Sequence, residues 1–376
     1  MVNKKRLIKL TQELIRINSE NPPGNEYAIA RFVNGYLEHL GLKVKVYEFK
    51  KGRSNIIASI KRKRAKKTSL LISPHLDTVP AGKNWRFPPF GGNISAGRIY
   101  GRGASDCKGN LAAGIEAIHS LVEERIELNY ELIFAATADE ETGSDLGLIP
   151  LLNKNILKPD YALILDADEL NIIVAQKGLI HMKVKIQGKK AHGAYPWRGK
   201  NAIDMALKAI TQIKNDKLKY VPHQLLRPPT INIGTIHGGD KVNMVADWCE
   251  FELDIRFLPG MDAKNIIKRI KSSLKKYAPK FRIETEGIQQ PYEISKDHAL
   301  VRYLSRAIKD CGLRPCIKGN EGATTITLFQ QKRIPAIAYG VGSRNTAHAS
   351  DEYIKIENLF RGTKVLEGFL RRFKGG

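Results

Sequence analysis

The chain has 376 residues, 42% of them hydrophobic and 27% charged, which allows a substantial buried core and enough length for two domains. Its formal net charge is +24, an excess that brings nucleic-acid binding into consideration. No apolar run approaches the roughly 18 residues of a membrane span, and the N-terminus lacks the continuous apolar stretch of a signal peptide, so a cytoplasmic protein is expected.

The first predicted element is an amphipathic helix, with Leu7, Leu10, Leu14 and Ile15 at helical spacing. A second helix is predicted over 26–40, with Ile29, Phe32, Val33, Tyr36 and Leu40 on one face and Gly41 as its cap. Strands follow at "KVKVYEF", "NIIASI" and "SLLIS". The basic run "KRKRAKK" at 61–67 falls between the last two and is read as a solvated hairpin loop. A helix, "NLAAGIEAIHSLVEE", then precedes strands "ELIFAATA" and "YALILDA". This alternation indicates an α/β domain whose sheet is at least partly parallel.

The pattern changes after Gly178. There the order is strand "LIHMKVKIQG", helix "NAIDMALKAITQIK", strands "TINIGTIHG" and "WCEFELDIRFL", helix "AKNIIKRIKSSLKKYA" and strand "FRIETEGI". That β-α-β-β-α-β order is the split unit of a ferredoxin-like fold. The chain then returns to helix, strand and helix. The expected architecture is one α/β domain built from 1–178 and 292–376, with an α+β domain inserted over 179–291. Cys107, Cys249, Cys311 and Cys316 form no C-x-x-C motif, so reduced thiols are the default, with a Cys311–Cys316 bridge open for a hyperthermophilic source.

Chemistry concentrates where the predicted strands end. "SLLIS" runs into His75 and Asp77, which share one face of an extended chain. "LIFAATA" runs into Asp139, Glu140 and Glu141, and "YALIL" into Asp166 and Asp168. "IPAIAYGVGS" is followed by His348, and "RIYGRGASD" delivers Asp106 just before a helix. In α/β sheets such groups gather beyond the carboxyl ends of the strands. Clustered imidazoles and carboxylates would repel and resist desolvation without a cation. The mixed N and O donors favour zinc, with cobalt or manganese as alternatives, and they suffice for two ions. Of the adjacent pair Glu140 and Glu141, one can bind metal while the other serves as a general base.

The motifs "HLDTVPAG", "GRGASDCKG", "ADEETGS" and "AHASDEY", in this order, resemble the dizinc amidohydrolase and exopeptidase family. That family includes acetylornithine deacetylase, succinyl-diaminopimelate desuccinylase, aminoacylase and glutamate carboxypeptidase. The resemblance spans essentially the whole chain. It implies a zinc-peptidase-like catalytic domain with a mixed sheet, and an inserted lid that also makes a homodimer. It implies two zinc ions per chain, with cobalt as a substitute. His75 and Asp166 would hold one ion, Glu141 and His348 the other, and Asp106 would bridge them. Asp168 and Glu169 stay open as alternatives to Asp166, which is chosen by its distance from Lys177-Gly178.

By the same resemblance, Glu140 is the general base toward a water shared by the two ions, and Asp77 orients the imidazole of His75. In the insert, His192 would stabilise the oxyanion across the dimer, and Arg256 would grip a substrate carboxylate. Asn243, in "KVNMVAD", and Gly322, in "GNEGATTITLF", would face substrate. The implied reaction is hydrolysis of a small N-acyl amino acid in amino-acid biosynthesis, with a dipeptidase or carboxypeptidase as the near alternative.

Three other readings fare worse. "GRGASDCKG" lacks the third glycine of a dinucleotide loop and carries Asp106 there, where it would repel a pyrophosphate. A thiol hydrolase built on Cys107 leaves the strand-end carboxylates and imidazoles without a role. A basic nucleic-acid-binding protein is the alternative of a different class, but no zinc-finger, RNA-recognition or aromatic-basic pattern accompanies the charge.

Overall fold

The structure, a computed structural model, describes residues 1–60 and 68–375. The chain divides into two compact units. One comprises Met1–Val174, Ile294–Lys318 and Leu328–Gly376; the other comprises Ala175–Glu293 and Gly319–Thr327.

The first unit opens with helices α1 (Lys4–Arg16) and α2 (Tyr27–His39). Leu7, Leu10, Leu14 and Ile15 form the buried face of α1, and the Asn3 side chain caps it by accepting from the Arg6 N–H. On α2 the buried line is Ile29, Ala30, Val33 and Leu37, while Phe32, Tyr36 and Leu40 are half-buried. Gly41 follows at φ +79°, a left-handed backbone that glycine adopts at little cost.

Strands β1 (Lys43–Glu48), β2 (Ser54–Ile60), β3 (Ser69–Ser73), β4 (Asn93–Ser95) and β5 (Arg98–Tyr100) come next. They are followed by α3 (Lys108–Glu123), β6 (Glu131–Ala136), α4 (Leu148–Asn153), β7 (Tyr161–Ile164) and β8 (Ile172–Gln176). The insert supplies β9 (Gly178–Gln187), α5 (Ala202–Asn215), β10 (Thr230–Gly238), β11 (Trp248–Phe257), α6 (Ala263–Tyr277) and β12 (Phe281–Gln289). The chain finishes with β13 (Tyr292–Glu293), α7 (Ala299–Asp310), β14 (Ile317–Asn320), α8 (Ile326–Gln331), β15 (Ala336–Tyr339), β16 (Tyr353–Lys355) and α9 (Ile356–Arg372).

The main sheet of the first unit runs β1-β2-β6-β3-β7-β15-β8. It is mixed: β3 is parallel to β6 and β7, β15 is parallel to β7, and β2 is antiparallel to β6. Every residue of β3 is buried, as a central strand with covered faces requires. Strand β6 therefore lies between β2 and β3, so these two do not form the hairpin expected from the sequence. The basic run 61–67 itself lies outside the described residues. A second sheet, β16-β5-β4, was not anticipated, because strands of three residues carry too little pattern to read.

In the second unit the antiparallel order β10-β11-β9-β12 is that of a ferredoxin-like sheet. Inward residues of β9 (Ile180, Met182, Val184, Ile186) and β11 (Phe251, Leu253, Ile255) pack with Ala206 and Ala209 of α5 and Ile266 and Ile270 of α6. The boundaries differ slightly from 179–291. Gly319–Thr327 joins this unit because the Lys177 Nζ is 2.6 Å from the Glu321 carboxylate and the Gln176 side chain bonds both N–H and C=O of Thr324.

Candidate metal centre

The mutually parallel β6, β3, β7 and β15 present their carboxyl ends at one edge of the sheet. Pairing continues past β3, where Leu76 N–H donates to Thr137 C=O at 2.8 Å and Leu165 N–H to Ser73 C=O at 3.0 Å. His75, the Asp139–Glu141 turn and Asp166 therefore leave the sheet side by side. Asp106 arrives on the loop between β5 and α3, and His348 on the loop between β15 and β16.

These loops bring the expected ligands together. The Nε2 of His75 lies 2.9 Å from Asp106 Oδ1, and the Nε2 of His348 lies 3.2 Å from both Asp106 Oδ2 and Glu141 Oε2. Among the described residues, two groups could each hold an ion: His75, Asp106 and Asp166, and Asp106, Glu141 and His348, with ligand atoms in each within 4.8 Å of one another. Asp106 belongs to both. Asp168 belongs to neither, and Glu169 is engaged by Lys355 Nζ at 2.9 Å and Asn358 Nδ2 at 3.0 Å.

Asp77 contacts more than His75. The His75 Nδ1 is 3.0 Å from the Asp77 main-chain oxygen and 3.4 Å from its carboxylate. A proton held at Nδ1 leaves Nε2 as a metal-binding lone pair. The Asp77 carboxylate also accepts from the N–H groups of Glu140 and Glu141, each at 3.1 Å, and from Asn21 Nδ2 at 2.9 Å. Asp77 thus meets the imidazole chiefly through its main-chain oxygen and holds the acidic turn through its buried carboxylate.

A second support was missed by the sequence reading. Asp139 adopts a left-handed backbone at φ +67°, and its carboxylate accepts from Arg53 Nη2 at 2.8 Å and Leu146 N–H at 3.0 Å. Arg53 also grips both oxygens of Glu26, at 2.6 and 2.8 Å. Glu26, Arg53 and Asn21 stand in "SENPPGNEY" and "GRSN", where their only signal was polar residues beside helix and strand boundaries.

The electrostatics are those of a site prepared for cations. Burial raises Glu140 well above the ordinary carboxylate range; His75 opposes this, while Asp166, Glu141 and Asp106 add to it. Burial, with Asp106 beside it, pushes Asp166 up to about 7. Burial works against ionisation of Asp106 as well, but His348 and His75 outweigh it and hold that carboxyl well below its usual range. Hydrogen bonds to Asp106 and Glu141 lift His348 to about 10. Glu141 Oε1 is buried without a hydrogen-bond partner among the described residues. An orphaned carboxylate oxygen, crowded carboxylates and two imidazoles together fit divalent ions bound through mixed N and O donors.

The remaining expected site residues lie in the second unit, outside both ligand groups. His192 Nδ1 accepts from Ala194 N–H at 3.0 Å, and Gly193 N–H donates to Asn243 C=O at 2.8 Å, so His192 and Asn243 stand on neighbouring segments. Arg256 directs Nε and Nη2 to the two oxygens of Asp254, at 2.7 and 2.8 Å. The Gly322 N–H donates to Asn320 Oδ1 at 3.0 Å.

Residues 71–372 match the model of the peptidase family M20/M25/M40. The chain belongs to this family. Acetylornithine deacetylase of Vibrio atlanticus is 29% identical over 378 residues, covering 95% of each chain. A tripeptidase from Staphylococcus aureus superposes with a TM-score of 0.82 at 26% identity, covering 99% of this chain and 98% of that one. A Bacillus subtilis dinuclear metal-binding M20 peptidase shares the fold with a TM-score of 0.75 at 16% identity, covering 98% and 97%. The protein is therefore an M20 metallo-amidohydrolase or exopeptidase with a mixed α/β fold. Among the described residues no helix is long and apolar enough to cross a membrane.

Proposed function

We propose that this M20 enzyme is a deacylase of small N-acyl amino acids, of the acetylornithine or succinyl-diaminopimelate type. The observation that carries the chemistry is the pair of ligand groups sharing Asp106 beside Glu140. The substrate class rests on the likeness to acetylornithine deacetylase over 95% of the chain.

Two ions, zinc or cobalt, held by His75 and Asp166 and by Glu141 and His348 with Asp106 between, would polarise the amide carbonyl and acidify water. Glu140 takes the proton from the attacking water and returns it to the leaving nitrogen. A C–O bond forms and the C–N bond breaks, leaving a carboxylate and a free amine. Asp77 keeps the His75 ring and the Glu140–Glu141 turn in register. His192 is assigned the developing oxyanion, acting across a homodimer formed by the insert. Arg256, braced by Asp254, is assigned the substrate carboxylate, with Asn243 and Gly322 beside the substrate.

The test is metal content of the purified protein, with activity on N-acetylornithine, succinyl-diaminopimelate and a dipeptide panel before and after chelation. About two ions per chain and chelator-sensitive deacylation are expected. Cleavage of peptides alone would move the assignment to the peptidase reading, which the tripeptidase likeness supports. Absence of activity after zinc or cobalt is restored, with tight DNA or RNA binding at low salt, would replace it with the nucleic-acid reading.

A further inference from the structure

The Asp106 and His348 loops come from distant parts of the sequence, yet one buried ion pair joins them. Glu352 exposes 1% of its surface and Arg102 2%. One Glu352 oxygen accepts from the N–H groups of Ser105 at 2.8 Å and Asp106 at 3.0 Å. The other accepts from Gly103 N–H at 3.0 Å and Arg102 Nη1 at 2.7 Å. A carboxylate holding four donors, one of them cationic, is a stiff anchor. Arg102 also reaches the other loop, with Nη1 3.2 Å from Ala349 C=O and Nη2 3.5 Å from His348 C=O, while Nη2 donates to Ala81 C=O at 3.2 Å. The backbones that carry Asp106 and His348 thus hang from the same two side chains.

The two halves of the metal centre do not need this support equally. His75 is buried and continues the β3 pairing, and Asp166 follows β7 directly. The His348 side chain is half-exposed, and its backbone is left-handed at φ +63°, a conformation that persists only where the surroundings impose it. A buried ion pair is also a poor source of net stability, so its placement here asks for another use.

We propose that Arg102 and Glu352 are positioning residues that hold Asp106 and His348 at the separation needed to share an ion, and so set the affinity of the His348 side. The inference rests on the proposed metal centre. Neither residue belongs to the two ligand groups; each acts through the backbone of a ligand.

Metal-free full-length protein is titrated with Co2+, read by its visible absorption and by competition with a chelating dye. Wild type should bind in two steps. In Glu352→Gln, which replaces an acceptor oxygen with an amide donor facing donors, the weaker step should lose roughly 10–100-fold in affinity while the tighter step stays. Arg102→Lys keeps the charge but cannot span both loops, and it should weaken the same step; it carries the test if Glu352→Gln does not fold. Glu116→Gln breaks another buried pair, in which Arg6 Nε lies 2.7 Å from the carboxylate. That variant should lower the Tm without moving either step. Wild-type affinities in both site variants would overturn the proposal, and so would an equal shift in Glu116→Gln, which marks a general loss of stability. Fewer than two ions on wild type would overturn the metal centre itself, and the wild-type titration alone reads that outcome.

Discussion

Glu140 and Glu141 are adjacent in the chain, and both N–H groups are held by Asp77, yet their carboxylates meet different surroundings. Glu141 stands 3.2 Å from His348 Nε2, whereas Glu140 belongs to neither ligand group. Glu140→Gln should therefore lower kcat by about 10²–10⁴-fold while both ions stay bound, measured by turnover and metal analysis together. Loss of metal in that variant would make Glu140 a ligand and not a base. The protonation of the proposed ligands gives a second expectation. Asp166, raised to about 7, supports the metal-free fold at low pH, and that support is lost as pH rises through about 7. His348, raised to about 10, contributes its pairing fully below its ordinary value and loses it progressively as pH rises from there through about 10. Binding a cation must displace the proton of Asp166 at pH 6 but not at pH 8, and it relieves the crowding most where that carboxylate is charged. The zinc-induced rise in Tm should be larger at pH 8 than at pH 6, because Asp166 and His348 both give up protons more readily there; an equal rise would mean that neither proton is displaced on binding.

Secondary-structure elements set the ligand geometry through contacts that leave no room for adjustment. A Cβ on Gly340, just past β15, would come within 2.0 Å of the Ala167 carbonyl oxygen and 2.5 Å of its nitrogen. Gly340→Ala should push the end of β7 away, at a cost of about 1–3 kcal/mol, and weaken the ion on the His75 and Asp166 side. Denaturant unfolding and metal titration would read the two effects separately. The acidic turn is held by Glu26, just before α2, by Arg53, just before β2, and by Asn55 of β2, whose Oδ1 accepts from Ala138 N–H at 2.9 Å. Arg53→Met leaves Glu26 and Asp139 buried without their cation and should destabilise by about 3–5 kcal/mol, seen as a lower denaturation midpoint. At this scale the sequence was readable where periodicity is strong. Helices α1 and α2, the apolar β3 and β6, and the alternating β9 and β11 all follow their patterns. Strands β4, β5 and β16 do not: three residues carry too little pattern, and β16 pairs with β5 more than 250 residues away, as in Tyr353 opposite Tyr100. The insertion of β6 between β2 and β3 was equally invisible, since a local reading joins consecutive strands.

At the scale of the whole molecule the net charge of +24 invited a nucleic-acid role, yet the family match and the two ligand groups account for the chain as a metal-dependent amide hydrolase. The homodimer remains part of the proposal, and it yields a test of its own. Mixing His192→Ala with Glu140→Gln chains, each expected to be nearly inactive alone, should restore part of the activity if His192 serves the partner's site. No recovery in verified mixed dimers would confine His192 to its own chain. By itself the sequence determined the order of the strand-end imidazoles and carboxylates and the alternation of helix and strand, because each is a local property of composition and spacing. Only the tertiary structure decided that Asp166 and not Asp168 or Glu169 joins the cluster, that Asp77 holds the acidic turn as well as His75, and that Arg102 and Glu352 tie two distant loops. Those choices depend on which carboxylate faces which donor once strands from distant parts of the chain lie side by side, and no one-dimensional spacing encodes that.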